Sequence, residues 1–195
     1  MRNSRLPWRA ELLGCGLVAT LGGGACSADA GRAPTARPTN TNSASLLQTP
    51  ASSSASHDEW LSYDAATNTV TFELIAGPFD FNGYRSGEGS LVVPPEANLV
   101  INFVNKDGTP HSAILISGEG PIPNAADKPA IPRAYTNKVL QGLAQEASDV
   151  MRFPVPDRGA YRILCGVPGH GLSGMWIWLK VDPAATKPSF GPTAT

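Results

Sequence analysis

The 195-residue sequence predicts an all-β fold. Eighteen prolines and 20 glycines interrupt the chain at short intervals, and only 16% of its residues are charged, which suits short strands joined by turns better than long helices. Several segments alternate apolar and polar side chains with the two-residue period of a strand. About seven such segments at roughly ten-residue intervals predict a β-sandwich with Greek-key connections. The length allows one domain with a sizeable core and a tail.

Taken in order, Arg2, Arg5 and Arg9 precede an apolar, glycine-rich run from Leu12 to Ala25, the n-region and h-region of a secretory signal. The run is too short for a confident transmembrane span. Residues 1–26 are therefore expected to be an export signal. Two processing outcomes are open: cleavage before Cys26 with lipid on that cysteine, which is favoured, or cleavage after Ala28-Asp29-Ala30. Residues 27–57 are almost entirely Ala, Ser, Thr, Pro, Gly and Asn, too little apolar area to offset the entropy of ordering, and are expected to form a flexible tether. His57, at its end, is expected to be solvated.

The domain is expected over residues 58–185. Thr69 to Ile75 alternates Val70, Phe72 and Leu74 against Thr71 and Glu73, and Gly77-Pro78 ends it. Phe79 to Gly89 is an irregular connection, and Ser90 to Val93 a short strand before Pro94-Pro95. Leu99 to Val104 alternates Leu99, Ile101 and Phe103 against Val100, Asn102 and Val104 and suits a strand with most of both faces covered. Lys106 to Pro110 turns the chain toward His111, and Ala113 to Ile116 is again a strand. Gly118 to Gly142 holds four prolines and no steady period, an unusually long connection of a kind that is often functional. Glu146 to Val155, Ala160 to Cys165 and Met175 to Val181 complete the strands. Residues 186–195 are expected to be a flexible tail.

Charge argues against a polyanionic partner. The formal net charge is −1, and from Asp58 onward ten Lys/Arg face fourteen Asp/Glu, so no nucleic-acid-binding field exists. Of the three cysteines, Cys15 and Cys26 fall in the signal region, leaving Cys165 as the domain's one thiol. An unpaired thiol in an oxidising compartment needs burial or a metal. Cys165, His170 and Met175 follow one another at five-residue spacing, in a Gly/Pro-rich loop between two apolar strands. A thiolate, imidazoles and a weak thioether suit both Cu(I) and Cu(II). The second imidazole must be His57 or His111, and His57 lies in the tether, so His111 is the candidate. Strand parity agrees: Cys165 shares a face with Tyr161 and Ile163, Met175 with Ile177, Leu179 and Val181, and His111 with Ala113 and Leu115. Ser112 is a candidate hydrogen-bond partner near the Cys165 loop. Trp176 and Trp178 point the other way and need a cover, either the proline-rich loop or the Trp60 segment.

The stretches Phe81-Asn82-Gly83-Tyr84, Val92-Val93-Pro94-Pro95, Ile101 to Asn105, Thr109-Pro110-His111-Ser112-Ala113-Ile114 and Tyr161 to Trp176 resemble the cupredoxins. They look most like the sulfocyanin branch, with similarity to rusticyanin, and the resemblance runs roughly from Val70 to Val181. It implies a Greek-key β-sandwich of about eight strands holding one type 1 copper, with His111, Cys165, His170 and Met175 as the metal ligands. It further implies a one-electron carrier rather than an enzyme, serving redox partners such as a cytochrome or an oxidase. The export signal places that carrier at the periplasmic or extracellular face of a membrane, held there if Cys26 is lipidated. Two other classes fit less well. A copper oxidoreductase needs further histidines for a second copper, and only His57 is left. A copper chaperone or storage protein usually offers open, Met-rich ligands, whereas the domain has only Met151 and Met175.

Overall fold

The computed structural model describes residues 57–194. The expected signal, the tether up to residue 56, Cys26 and Thr195 lie outside the described residues. Ten strands occur among the described residues: β1 (Leu61–Asp64), β2 (Thr69–Gly77), β3 (Asp80–Phe81), β4 (Gly89–Val93), β5 (Asn98–Asn105), β6 (Ile114–Ser117), β7 (Ser148–Pro154), β8 (Gly159–Leu164), β9 (Trp176–Val181) and β10 (Ser189–Pro192). They form two sheets, one in the order β1-β2-β5-β7 with β3 paired to β2, the other in the order β10-β4-β9-β8-β6. β2 and β5 run parallel, as do β4 and β9, and the remaining pairs are antiparallel.

The alternation in the sequence decides which side chains meet between the sheets. In β2, Val70, Phe72, Leu74 and Ala76 are fully buried while their neighbours are half-exposed. The register continues each inward row: Phe72 lies beside Ile101, which lies beside Met151. From the other sheet come Leu91, Ile163, Ile177 and Leu179, and all join the same cluster. Each large side chain so buried contributes about 1.5–3 kcal/mol.

Three strands go beyond those expected. β1 and β3 are too short to show a period. β10 lies in the segment expected as a flexible tail, and that expectation is corrected: it pairs antiparallel with β4, Phe190 opposite Leu91. Phe190 is the anchor, its ring 4.8 Å from that of Phe72 and 5.5 Å from that of Tyr84, centroid to centroid. His57 belongs to the same aromatic group and is not simply solvated. Its Nε2 lies 2.8 Å from the Tyr84 hydroxyl, and its ring stacks on Trp60 at 5.4 Å.

The long connection between β6 and β7 is packed onto the outer face of the second sheet. Ala126 joins Ile114 and Leu164 in a second small core, flanked by Ile122, Val139 and Trp176. Backbone bonds pin it beside β6 and the residue before it: Leu115 N–H to Ala134 O at 2.9 Å, and Thr136 N–H to Ala113 O at 2.8 Å. Trp176 and Trp178 are covered by Arg162, whose guanidinium lies 5.3 Å from each ring centroid, and by the backbone near Gly87 and Gly118. Of the two expected covers the proline-rich loop contributes, since Trp176 packs against the small core that holds Ala126, while Trp60 packs against the main core.

Candidate metal centre

In the second sheet β8 lies between β6 and β9 and runs antiparallel to both, with Ile114 opposite Leu164 and Leu164 opposite Trp176. The start of β6, the end of β8 and the start of β9 therefore share one edge. His111 lies just before β6, Cys165 just after β8, and Met175 just before β9. Leu164, Ile114 and Trp176 form one cross-strand row toward the outer face, so the next residues, Cys165, Ala113 and Met175, turn inward. Ile163, Cys165, Met175 and Ile177 are all essentially fully buried.

The loop from Cys165 to Met175 folds into consecutive turns. Cys165 N–H donates to Met175 O at 3.0 Å, and Met175 N–H to His170 O at 3.1 Å. Gly169 N–H donates to Asn124 O at 2.7 Å, tying the loop to the β6–β7 connection. His111 Nδ1 lies 3.1 Å from His170 Nδ1 and 3.9 Å from Cys165 Sγ, and His170 Nδ1 lies 3.5 Å from that sulfur. Metal-binding atoms of the three residues all fall within 4.8 Å of one another. His111 is fully buried, whereas His170 is only partly so.

Burial pushes the Cys165 thiol above its ordinary range, against backbone hydrogen bonds from Ser112 and Val167 that favour the thiolate. The His170 imidazole is pushed down, first by burial and then by the nearby His111. The shift on His170 favours the neutral ring, which keeps a lone pair for a cation, whereas the shift on Cys165 works against the thiolate that a cation would bind. Ser112 takes a more specific part than its position alone suggests. Its backbone N–H points at Cys165 Sγ at 3.5 Å, while its hydroxyl donates to Val139 O at 2.6 Å and accepts from Gly166 N–H at 3.1 Å. The hydroxyl proton is therefore engaged away from the sulfur.

The model described as the Sulfocyanin (SoxE) domain matches residues 56–190. The chain belongs to the sulfocyanin family. Sulfocyanin of Sulfolobus acidocaldarius is 24% identical over 139 residues, 65% of this chain and 70% of that protein. Auracyanin-B of Chloroflexus aurantiacus is 28% identical over 132 residues, 60% of this chain and 54% of that protein. Among solved structures, auracyanin B gives a TM-score of 0.45 at 26% identity, covering 58% of this chain and 88% of its own. Rusticyanin from Thiobacillus ferrooxidans gives 0.45 at 20% identity, covering 64% and 88%.

Sulfocyanins are cupredoxins, blue copper proteins of an electron-transfer family, and the cofactor is one type 1 copper. The site fits that ion by its donor chemistry. Two imidazole nitrogens and a sulfur face one another with no carboxylate between them, a soft-to-borderline set that suits copper and offers little to a hard cation such as Mg²⁺ or Ca²⁺. All four residues expected as ligands are brought to the same edge, His111, Cys165 and His170 by their donor atoms and Met175 by its backbone bonds to both Cys165 and His170.

The sulfocyanin site also uses residues that the sequence did not single out. Phe79 has a left-handed backbone, φ 58°, uncommon for an aromatic residue, and its ring lies 4.8 Å from that of His170 and 5.8 Å from that of His111. Asp107 Oδ2 lies 2.8 Å from His111 Nε2. That hydrogen bond holds the Asp107 carboxyl below the usual carboxylate range. The i, i+4 spacing of Asp107 and His111 carried the only hint, and on a turn such spacing predicts no contact. Gly142 supplies a close approach: it has φ 77°, and a Cβ there would lie 2.7 Å from the Pro110 carbonyl carbon.

Proposed function

We propose that His111, Cys165, His170 and Met175 hold the copper, and that the protein carries single electrons between redox partners, such as a cytochrome and an oxidase, in a respiratory or related chain. The observation that carries this reading is the convergence of His111 Nδ1, Cys165 Sγ and His170 Nδ1 at the strand edge beside Met175. Copper held there supplies a one-electron Cu(II)/Cu(I) couple.

The chain's own part is to fix the donors and keep water away. Cys165 and His111 come from buried positions on strand ends, so neither has room to move between oxidation states. His170 is the partly exposed ligand, and Phe79 covers one side of its ring. Pro168 and Leu172 of the same loop are exposed, Leu172 at 60%, and so are Pro78 and Pro110. This apolar collar suits brief contact with a partner over the His170 edge, without charges that would have to be desolvated at its centre. No substrate bond is made or broken, so the protein acts as a carrier and not as an enzyme. The expected export signal at 1–26, the expected tether up to residue 56 and a lipid on Cys26 would keep the folded domain near the outer face of a membrane with room to reach its partners.

The test is spectroscopic and electrochemical. Copper-loaded protein is expected to show intense visible thiolate-to-copper absorption that Cys165→Ser abolishes; a Cys165→Ser variant that keeps the band would sink the ligand assignment. Met175→Leu is expected to keep both copper and band but to raise the reduction potential, because a weak donor to Cu(II) is lost. An unchanged potential would remove Met175 from the ligand set.

A further inference from the structure

Asp107 stands outside the ligand set and yet touches it. Its Oδ2 lies 2.8 Å from Nε2 of His111, a side chain with no exposed surface. A carboxylate only accepts, so Nε2 is the nitrogen that carries the proton, and Nδ1 is left with its lone pair. Nδ1 is the atom that faces His170 at 3.1 Å and Cys165 Sγ at 3.9 Å.

The carboxylate is itself held in place. Its Oδ1 accepts Gly108 N–H at 2.8 Å, and its own backbone N–H donates to Asn105 Oδ1 at 3.0 Å. Asn105 is fully buried and donates to both Thr109 O and Leu143 O at 2.9 Å. Leu143 in turn exchanges both backbone hydrogen bonds with His111, at 3.2 and 2.7 Å. Acid, asparagine and imidazole thus close one network around the turn from Asn105 to His111. The neighbouring cation, Lys106, points to Glu146 at 2.6 Å, so it is committed elsewhere.

We propose that Asp107 is the positioning and tuning residue of this copper site: it locks His111 in the tautomer that presents Nδ1, and its negative charge behind that ring lowers the reduction potential. The inference rests on His111 being a ligand. A carboxylate partner makes an imidazole a stronger donor, and the more highly charged Cu(II) gains more from that than Cu(I) does. The side-chain geometry therefore predicts an effect on the couple as well as on affinity.

The experiment compares full-length Asp107→Asn, Asp107→Ala and Glu146→Gln proteins with the parent. Potentiometric titration of the copper-loaded forms gives the potential, and ¹⁵N-resolved NMR of the copper-free forms gives the protonated ring nitrogen of His111. Asp107→Asn keeps an acceptor but drops the charge, so its potential should rise; a tenfold loss of Cu(II) over Cu(I) affinity corresponds to 59 mV for one electron. Asp107→Ala drops both, and should also bind copper 10- to 100-fold more weakly and lose the single tautomer. Glu146→Gln removes a charge from the adjacent ion pair without touching His111 and should leave the potential where it was. An Asp107→Asn potential no higher than the parent's overturns the proposal, as does an equal rise in Glu146→Gln. If the parent lacks the visible band, the ligand assignment has failed separately. The ring measurement then still judges Asp107: a His111 protonated at Nδ1 in the parent overturns its positioning role.

Discussion

A methyl group added at Gly166, next to Cys165, should destabilise the domain through contact alone. Gly166 does not occupy the left-handed region, so alanine meets no backbone strain there. Its Cβ would lie 2.7 Å from Val139 Cγ2, 2.9 Å from Ala126 O and 3.0 Å from Val139 O. The first of these atoms is a side-chain end that can turn aside. The other two are backbone oxygens of the β6–β7 connection, and Val139 O is already held by the Ser112 hydroxyl at 2.6 Å. Overpacking of this kind costs about 1–3 kcal/mol. For a domain of this size, that corresponds to a Tm lower by roughly 4–12 °C. The measurement is thermal unfolding of the copper-free Gly166→Ala protein, paired with Val139→Ala and the double variant. Removing the Val139 methyls relieves one contact of three, so the double variant should lose less stability than the two singles added together. An unchanged Tm in Gly166→Ala, or strict additivity, would refute the idea that the β6–β7 connection presses on the ligand loop.

Two further outcomes follow from the chain's ends. Phe190→Ala should cost about 2–3 kcal/mol in urea unfolding, somewhat below the figure for a fully buried phenylalanine because this ring is half-exposed; a change under about 0.5 kcal/mol, as for an ordinary surface substitution, would return residues 186–195 to the status of a tail. Cys26→Ala should move the protein from the membrane fraction to the soluble fraction on cell fractionation if that cysteine is lipidated, and continued retention on membranes would contradict lipidation.

What the sequence revealed depended on how far apart the interacting residues lie. Cys165, His170 and Met175 share one loop, and soft donors at regular spacing between glycines are visible without any fold. His111 was reachable because so few histidines compete. Strand positions came from alternation, which burial reproduces residue by residue in β2, β5 and β9. Asp107, Phe79 and the β6–β7 connection were not legible for a different reason. Each acts through a contact made by turn geometry or by long-range packing, and neither leaves a period in the sequence. Phe190 was missed because one apolar residue among Pro, Ser and Gly looks like a frayed end until β4 is seen to offer it a partner.

The β6–β7 connection bears on the copper site through strand register. A one-residue slip in any sheet exchanges the two faces of a strand, and here it would turn Leu164 inward and Cys165 outward. The inner face guards against that through Arg162, which shares the Leu164 face and would be turned into the core with it. Burial on the other side opposes the slip as well. Leu164 and Ile114 are fully buried in the small outer core that the connection builds with Ala126, and Val139 and Ile122 close over it. A slip of β8 would take Leu164 out of that pocket and leave the smaller Cys165 side chain in its place. Gly169 N–H on Asn124 O then holds the ligand loop to the same connection from its far side. A segment with no steady period and no donor of its own thus helps to fix which way the donors face.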